Sequence, residues 1–248
     1  MTLEYFLFDL GSTLIYFDSR WENILLKANQ ALWSGLVNQG LKLPETDFIN
    51  AFFSAQGAYW RQRDIDLIEK TTYSVLSRLL EDFGIKEVKE SVLRNALAEM
   101  YTVSQAHWLV EADTVDALKA LQQHGCRMGL ISNAGDDTDV QLLVDKAEIR
   151  PYMDFIISSA SFGKRKPSPE IFTHALSFWG AAPEEALMVG DRLEVDVLGA
   201  HQVGMMGVWI SRRVKGSYTA GDIKHYAPEL CVDSLGELLA LVDGSKEA

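Results

Sequence analysis

The fold of this chain is decided by the stretch Tyr5-Phe6-Leu7-Phe8-Asp9-Leu10-Gly11-Ser12-Thr13-Leu14. Four large apolar or aromatic residues lead into an aspartate, and a Gly-Ser-Thr turn follows shortly after. This order predicts a strand buried on both faces, with the Asp9 carboxylate at its C-terminal end. Ligands of open parallel sheets collect outside the carboxyl ends of the strands, so Asp9 is the first candidate catalytic residue. An aspartate in this position is also common as a helix cap or turn residue.

From Asp113 onward, apolar runs alternate with helical patterns. Strands are predicted at 126–132, 155–158, 186–190 and 207–210, and helices at about 114–124, 137–147, 169–179, 196–203 and 235–241. Strands that alternate with helices at this spacing predict an α/β fold, in which a doubly wound, mainly parallel Rossmann-like sheet has helices on both faces.

Residues 15–105 show helical periodicity without a convincing strand. Breaks at 40–44 and 83–85 divide this region into several helices, and its aromatic residues are numerous enough for a small core of their own. We therefore predict an inserted all-helical cap over residues 15–105. The Rossmann-like catalytic core then consists of residues 1–14 and 106–248.

The composition limits the classes of partner. Of the 248 residues 48% are hydrophobic, and the formal net charge is −12, with no block of Lys or Arg. Because an acidic chain repels polyanions, we expect neither nucleic acid nor a membrane as partner, whereas a local cluster of Lys and backbone N–H groups still allows a small phosphorylated metabolite. The sequence shows no secretory signal and no apolar stretch of about 18 residues, so we expect a cytoplasmic protein, either monomer or homodimer. The two cysteines and five histidines lack the spacing of a disulfide framework or a zinc site.

Polar residues follow the predicted strands at separate points of the chain: Asp9, Ser132-Asn133, Lys166 within 163–169, and Asp191 with Asp196. A strand-end aspartate can attack a phosphoryl group and form an aspartyl-phosphate. Carboxylates such as Asp9 and Asp191 are the hard oxygen ligands that Mg²⁺ prefers. Ser132 can donate to a phosphoryl oxygen, and Lys166 can stabilise the developing charge. Each residue alone is compatible with a cap, turn or solvated loop, but their joint arrival in order favours a site.

With these motifs, the sequence resembles the haloacid dehalogenase-like hydrolase superfamily, whose members are mostly Mg²⁺-dependent phosphatases. The resemblance rests on Asp9, Ile131-Ser132-Asn133, Lys166-Pro167 and Val189-Gly190-Asp191 with Asp196. It implies that Asp9 is nucleophile and metal ligand, that Ser132 and Lys166 bind the phosphoryl group, and that Asp191 and Asp196 lie on or next to the metal. Lys164 is a less favoured substitute for Lys166.

Gly11 departs from the pattern of the phosphatases that this sequence resembles. Those enzymes usually carry a second aspartate at this position as general acid and base, whereas Gly11 offers only its backbone carbonyl to a metal. The loss of a positioned acid/base costs about 10²–10⁴-fold in rate. Two alternatives therefore stay open: a 2-haloacid dehalogenase, which resembles this layout and needs no metal, and a catalytically impaired member that binds a phosphometabolite.

The residues that choose the substrate are predicted in the turn and in the cap, because a lid over the strand ends contacts the non-reacting part of the substrate. The candidate substrate-binding residues are Gly11, Ser12, Asn133, Tyr16 and Arg61. Tyr59 and Trp60 are assigned to the cap core, and Arg61 and Arg63 to solvent unless one of them reaches an anionic substrate.

Overall fold

The structure is a computed structural model that describes residues 3–243. Its strands are, in chain order, β1 (Tyr5–Phe8), β2 (Ile15–Phe17), β3 (Trp108–Val110), β4 (Arg127–Ser132), β5 (Phe155–Ser158), β6 (Ala186–Gly190), β7 (Met206–Ile210) and β8 (Leu230–Val232). Six of them form a parallel sheet in the order β5-β4-β1-β6-β7-β8. The predicted α/β class with a parallel sheet is therefore confirmed.

The α-helices of the described residues fall into two groups. Four precede β3: α1 (Trp21–Asn38), α2 (Glu45–Asp66), α3 (Thr72–Asp82) and α4 (Glu90–Gln105). The others alternate with the sheet strands: α5 (Thr114–Gln123), α6 (Asp137–Lys146), α7 (Ser159–Phe162), α8 (Pro169–Ser177), α9 (Leu198–Val203), α10 (Ala220–Tyr226) and α11 (Leu239–Asp243). Short 3-10 turns lie at Arg150–Tyr152, Pro183–Glu185 and Leu235–Leu238, and a π-helical turn, Leu193–Val197, precedes α9.

Strand β1 lies between β4 and β6 and is buried on both faces, as its apolar run predicts. Phe6 and Phe8 point into the core shared with α5 and α6, whereas Leu7 points into the core shared with α8 and α9. Successive side chains of a strand alternate between the faces of a sheet, so three adjacent apolar residues need a cover on each side. The apolar run therefore places Asp9 at the centre of the sheet's carboxyl edge.

Helices α1–α4, called the cap below, bury their own apolar cluster, which includes Leu32, Phe48, Phe52, Leu76 and Leu97. Strand β2 lies immediately before the cap in the chain and β3 immediately after it, and the two strands pair antiparallel. The sequence predicts helix from residue 15 onward, and the observed β2–β3 ribbon corrects this. A strand of three residues is too short to show alternation, and it is stabilised by a partner that is remote in the chain.

Three more elements of the core differ from the sequence prediction: β8, α7 and α10, which the sequence analysis does not place. All are short, so they carry little periodicity of their own. Among residues 3–243, no helix is long and apolar enough to cross a membrane.

Candidate active site

Three neighbouring strands deliver three of the predicted site residues to one edge of the sheet. Asp9 follows β1 directly, Ser132 is the last residue of β4, and Asp191 follows β6. The pairing continues past β1, since the Asp9 amide donates to the Val189 carbonyl at 2.9 Å. Because these strands are parallel and adjacent, residues far apart in the sequence converge at their carboxyl ends.

Asp9, Asp191 and Asp196 form a buried carboxylate cluster in which one ligand oxygen from each residue lies within 4.8 Å of the others. Asp196 comes from the π-helical turn, where the Arg192 amide donates to its Oδ2 at 3.1 Å. Gly190 makes this approach possible, because a Cβ atom at residue 190 would lie 2.2 Å from the Asp196 Cγ. The glycine before Asp191 is thus required by packing.

Lys166 is the cation of this cluster. Its Nζ lies 2.7 Å from Asp9 Oδ1 and 2.7 Å from Asp196 Oδ1, and its side chain is 1% exposed. Burial alone would lower the pKa of Lys166, but the charges of Asp196 and Asp9 outweigh it and raise that pKa. Asn133 positions the lysine through its backbone: the Lys166 amide donates to Asn133 Oδ1 at 2.8 Å, and Asn133 Nδ2 donates to the Lys166 carbonyl at 2.9 Å.

The charge of the cluster suits a divalent cation. Burial, together with the charges of Asp9 and Asp196, raises the pKa of Asp191 to about 8. Burial likewise raises the pKa of Asp196 to about 6, although Lys166 opposes the shift. Lys166 contacts two of the three carboxylates, those of Asp9 and Asp196, and the described residues show no hydrogen bond to the Asp191 carboxylate. Hard oxygen ligands with excess negative charge are the donor set of Mg²⁺, and this set fits it.

The turn after Asp9 is packed against an aromatic side chain. Ser12 has a φ of 60°, in the left-handed region, and the turn closes with the Leu14 amide donating to the Leu10 carbonyl at 2.9 Å. A Cβ atom at Gly11 would lie 3.2 Å from Trp108 Cη2. The space beside Gly11 is therefore bounded by an indole ring from β3.

A buried ion pair joins the cap to the loop that carries Lys166. Arg165 Nη1 lies 3.1 Å from Glu69 Oε2, and these side chains are 5% and 0% exposed. Glu69 also accepts from Ser159 Oγ at 2.7 Å and from the Tyr59 hydroxyl. The backbones pair as well, since the Glu69 amide donates to the Gly163 carbonyl at 3.1 Å. These bonds position the segment immediately before Lys166.

A cavity of about 570 Å³ opens between the strand ends and the cap. Its lining includes eight of the predicted site residues: Asp9, Gly11, Ser12, Ser132, Asn133, Lys166, Asp191 and Asp196. It does not include Tyr16, whose ring packs under Arg213 at 3.9 Å, or Arg61, which is exposed on α2. Lys164 also lies outside the lining and is 3.9 Å from Glu170. The structure therefore brings Lys166, and neither Lys164 nor Arg61, to the carboxylates.

Four residues of the site were not selected from the sequence: Glu69, Trp108, Asp139 and Arg165. Trp108, Asp139 and Arg165 line the cavity, and Glu69 pairs with Arg165. Glu69, Trp108 and Asp139 stand in no motif, and the partners of Asp139 and Arg165 are remote in the chain. The only signal was the position of Arg165 beside the predicted Lys166.

Asp139, in the first turn of α6, makes the stability of the protein depend on pH. Burial raises the pKa of this carboxyl from 3.8 to about 7, although Gln105 Nε2, which donates to its Oδ1 at 2.8 Å, opposes the shift. The folded chain thus keeps a proton that the unfolded chain loses, so stability falls as pH rises from about 4 to about 7. We expect Asp139→Asn to raise the free energy of unfolding at pH 8 by about 2 kcal/mol or more.

Chemical denaturation of the variant and the wild type across this pH range measures the effect. The difference in free energy of unfolding between the variant and the wild type should shrink steadily as pH falls from 7 to about 4. Near pH 4 the Asp139 carboxyl of the wild type is increasingly protonated in the unfolded state as well as in the folded state. Asp116→Asn, an exposed change in the first turn of α5, is the matched control and should show no such trend. An Asp139→Asn variant that is less stable than wild type at pH 8 would contradict the assignment.

Known proteins are similar to this chain in sequence and in fold. The model of the haloacid dehalogenase-like hydrolase family matches residues 3–204. Phosphoglycolate phosphatase 1 of Pseudomonas aeruginosa is 31% identical over 172 residues, which cover 69% of this chain but only 61% of that protein. The glyceraldehyde 3-phosphate phosphatase of Methanocaldococcus jannaschii is 25% identical over 244 residues, which cover 97% of each chain.

Among solved structures, a 2-haloacid dehalogenase from Pseudomonas syringae pv. Tomato DC3000 superposes with a TM-score of 0.70 at 20% identity and covers 100% of both chains. This likeness concerns the fold alone. The residues matched by the family model contain Asp9, Ser132, Lys166, Asp191 and Asp196. The chain therefore belongs to the haloacid dehalogenase-like hydrolase family.

Proposed function

We propose that this protein is a Mg²⁺-dependent phosphatase that hydrolyses a small phosphomonoester through an aspartyl-phosphate on Asp9. The observation that carries the proposal is the cluster of Asp9, Asp191 and Asp196, with Lys166 in ion-pair contact with Asp9 and Asp196, at the wall of a cavity of about 570 Å³. The curated relatives reported above are named phosphatases, which supports the same reaction class.

In the proposed reaction, a carboxylate oxygen of Asp9 bonds to phosphorus while the bond between phosphorus and the ester oxygen breaks. The leaving oxygen takes a proton from solvent and departs as the alcohol. Water then attacks phosphorus and gives a proton to solvent while the bond between phosphorus and the Asp9 oxygen breaks, which releases phosphate and restores the Asp9 carboxylate. Lys166 contacts Asp9 at 2.7 Å and stabilises the charge on the phosphoryl oxygens. Ser132, at the end of β4, donates its hydroxyl to one of those oxygens.

The residues that would hold Mg²⁺ are Asp9, Asp191 and Asp196, together with the Gly11 carbonyl. When bound, the cation neutralises negative charge on the phosphoryl group. Asp191 is suited to such a cation, because its pKa is raised and no hydrogen bond from the described residues reaches its carboxylate.

Release of inorganic phosphate tests the proposal. The purified protein should be assayed with phosphoglycolate, glyceraldehyde 3-phosphate and phosphoserine, the compounds named for relatives, and with an aryl phosphate whose leaving group needs no acid. We expect release with Mg²⁺ and none after chelation. Absence of release from every ester with Mg²⁺ would refute the proposed reaction.

The variant Gly11→Asp tests whether the missing acid/base at residue 11 limits the rate. We expect a higher kcat for alkyl phosphates, because an aspartate there protonates the leaving oxygen, with a gain of up to about 10²-fold. Trp108 limits this gain, since its Cη2 would lie 3.2 Å from the new Cβ atom. The double variant Gly11→Asp/Trp108→Phe should therefore exceed the single variant in turnover of alkyl phosphates.

Gly11→Ala and Trp108→Phe serve as controls for the double variant, since each changes the packing without adding a carboxyl group. Aryl phosphates, whose leaving groups are good, should gain little. Equal turnover of alkyl phosphates by the wild type and the double variant would show that the rate is not limited by a missing acid.

Gly11 also favours a second candidate, a 2-haloacid dehalogenase, because displacement of halide from carbon needs no acid at this position. The carboxylate cluster argues against it, since Asp191 and Asp196 give the site excess negative charge that would repel a leaving halide. Chloride release from 2-chloropropionate in the presence of a chelator would establish this second activity.

A further inference from the structure

The cap wall of the cavity contains polar groups that the phosphoryl chemistry does not use. Gln56, Tyr59, Trp60 and Arg63 all line the cavity, and they lie on one face of α2 because they are spaced by three or four residues. Arg61, which is exposed, lies on another side of the same helix. Helix α2 thus presents Arg63 to the cavity and Arg61 to solvent.

The cationic side chains of the lining differ in their partners. Lys166 contacts Asp9 and Asp196 at 2.7 Å, Arg165 contacts Glu69 at 3.1 Å, and Arg192 contacts Glu194 at 2.6 Å. Arg63 has a different environment: among the described residues, its nearest carboxylate is that of the exposed Asp64, 3.8 Å from Nε and beyond hydrogen-bond distance. The Arg63 Nε is buried and has no hydrogen-bond partner within residues 3–243.

Two further observations indicate that the Arg63 guanidinium is placed to bind a ligand. Its guanidinium lies over the rings of Tyr59 and Trp60, with Cζ 5.6 Å and 5.8 Å from their centroids, which fixes the planar group against the wall. On the same face, Gln56 is 8% exposed, and its Oε1 has no donor in the part of the chain that the structure describes. Buried polar groups are normally bonded, so two such groups on one cavity wall point to a polar ligand.

We propose that Arg63 binds a carboxylate carried by the leaving group of the substrate, with Gln56 accepting a hydrogen bond from the same leaving group. A carboxylate matches the single charge and the forked donor geometry of one guanidinium, whereas a second phosphate brings more charge than one arginine balances. The proposal deepens, and rests on, the proposed phosphatase function. Its substrate class is therefore a phosphomonoester of a carboxylic acid.

The test compares 4-carboxyphenyl phosphate with phenyl phosphate, two esters that differ in one anionic group. For the wild type with Mg²⁺, kcat/KM should be about 10- to 100-fold higher for the carboxylated ester, mainly through KM, as a charge-assisted hydrogen bond predicts. Arg63→Gln should bring the ratio of the two kcat/KM values close to one, because the carboxylated ester then loses its additional contact. Arg63→Lys, which retains the charge but not the fork, should keep part of the preference.

Two variants provide the comparison. Arg78→Gln, on α3 with a side chain that is 75% exposed, should leave both rates unchanged. Arg61→Gln should keep the preference in kcat/KM for the carboxylated ester. If Arg61→Gln abolishes this preference and Arg63→Gln does not, the assignment to Arg63 is overturned. An equal and measurable kcat/KM for the two esters in the wild type would also overturn it.

Binding separates this inference from the phosphatase proposal. Calorimetry with Asp9→Asn, with Mg²⁺ present, measures the affinity for each ester without turnover. Tighter binding of 4-carboxyphenyl phosphate than of phenyl phosphate that disappears in Asp9→Asn/Arg63→Gln supports the carboxylate site. This holds even if the wild type releases no phosphate, because that result refutes the phosphatase proposal alone. Equal binding of the two esters by Asp9→Asn refutes the carboxylate site while phosphate release is judged separately.

Discussion

Asp9→Asn is expected to reduce phosphate release by at least about 10³-fold, because the amide oxygen is a poor nucleophile toward phosphorus. The replacement has nearly the same shape, so the position of the side chain at the end of β1 is retained. It removes one negative charge from a cluster in which Asp9 raises the pKa of Asp191 and Asp196. The folded state therefore loses a repulsion as well as one of the two ion pairs of Lys166.

The free energy of unfolding distinguishes chemistry from misfolding in this experiment. We expect Asp9→Asn to be about as stable as the wild type, because the lost repulsion offsets the lost ion pair. Phosphate release should be measured at saturating ester with Mg²⁺, beside Asp116→Asn as an exposed control. A stable Asp9→Asn protein with more than about one tenth of wild-type turnover would exclude Asp9 as the nucleophile.

Lys166→Met is expected to affect both activity and stability. Lys166 is the cation that contacts Asp9 and Asp196, at 2.7 Å in each case. Without it, three buried carboxylates face one another with no cation in contact, and breaking a buried ion pair costs about 3–5 kcal/mol. We expect a loss of this order in the free energy of unfolding in metal-free buffer, and a fall in kcat of about 10²–10³-fold with Mg²⁺.

Denaturant unfolding with and without Mg²⁺ tests the electrostatic cause of the instability. The cation should restore more stability to Lys166→Met than to the wild type, because it replaces the missing positive charge. Lys164→Met, two positions earlier and outside the cavity lining, is the matched control and should resemble wild type. A Lys166→Met protein with normal turnover would remove the lysine from the proposed mechanism.

Much of the site could be read from local sequence. Each apolar run that ends in a polar residue predicts a buried strand with a functional group at its end, and the parallel topology places those ends at one edge. Asp9, Ser132 and Asp191 converge in the structure for that reason, whereas Lys166 comes from the loop between α7 and α8.

The short elements could not be predicted in this way. Strand β2 has three residues and exists because it pairs with β3 beyond the cap, and β8 exists because it pairs with β7. Neither strand is long enough for its own pattern to outweigh the surrounding helical periodicity. Their stability comes from ladder hydrogen bonds to remote partners, which single-sequence periodicity does not report.

The sequence by itself determined the fold class and the order of the groups at the strand ends, because buried strands and their terminal residues are encoded by neighbours in the chain. Only the tertiary structure decided which side chains surround the ligand. Trp108 beside Gly11, Glu69 against Arg165, and Arg63 rather than Arg61 in the cavity all depend on how the cap packs on the core. The physical reason is that the position of each of these side chains depends on a contact with residues remote in the chain, or on the rotation of a helix that such contacts set. These contacts leave no local periodicity in the sequence.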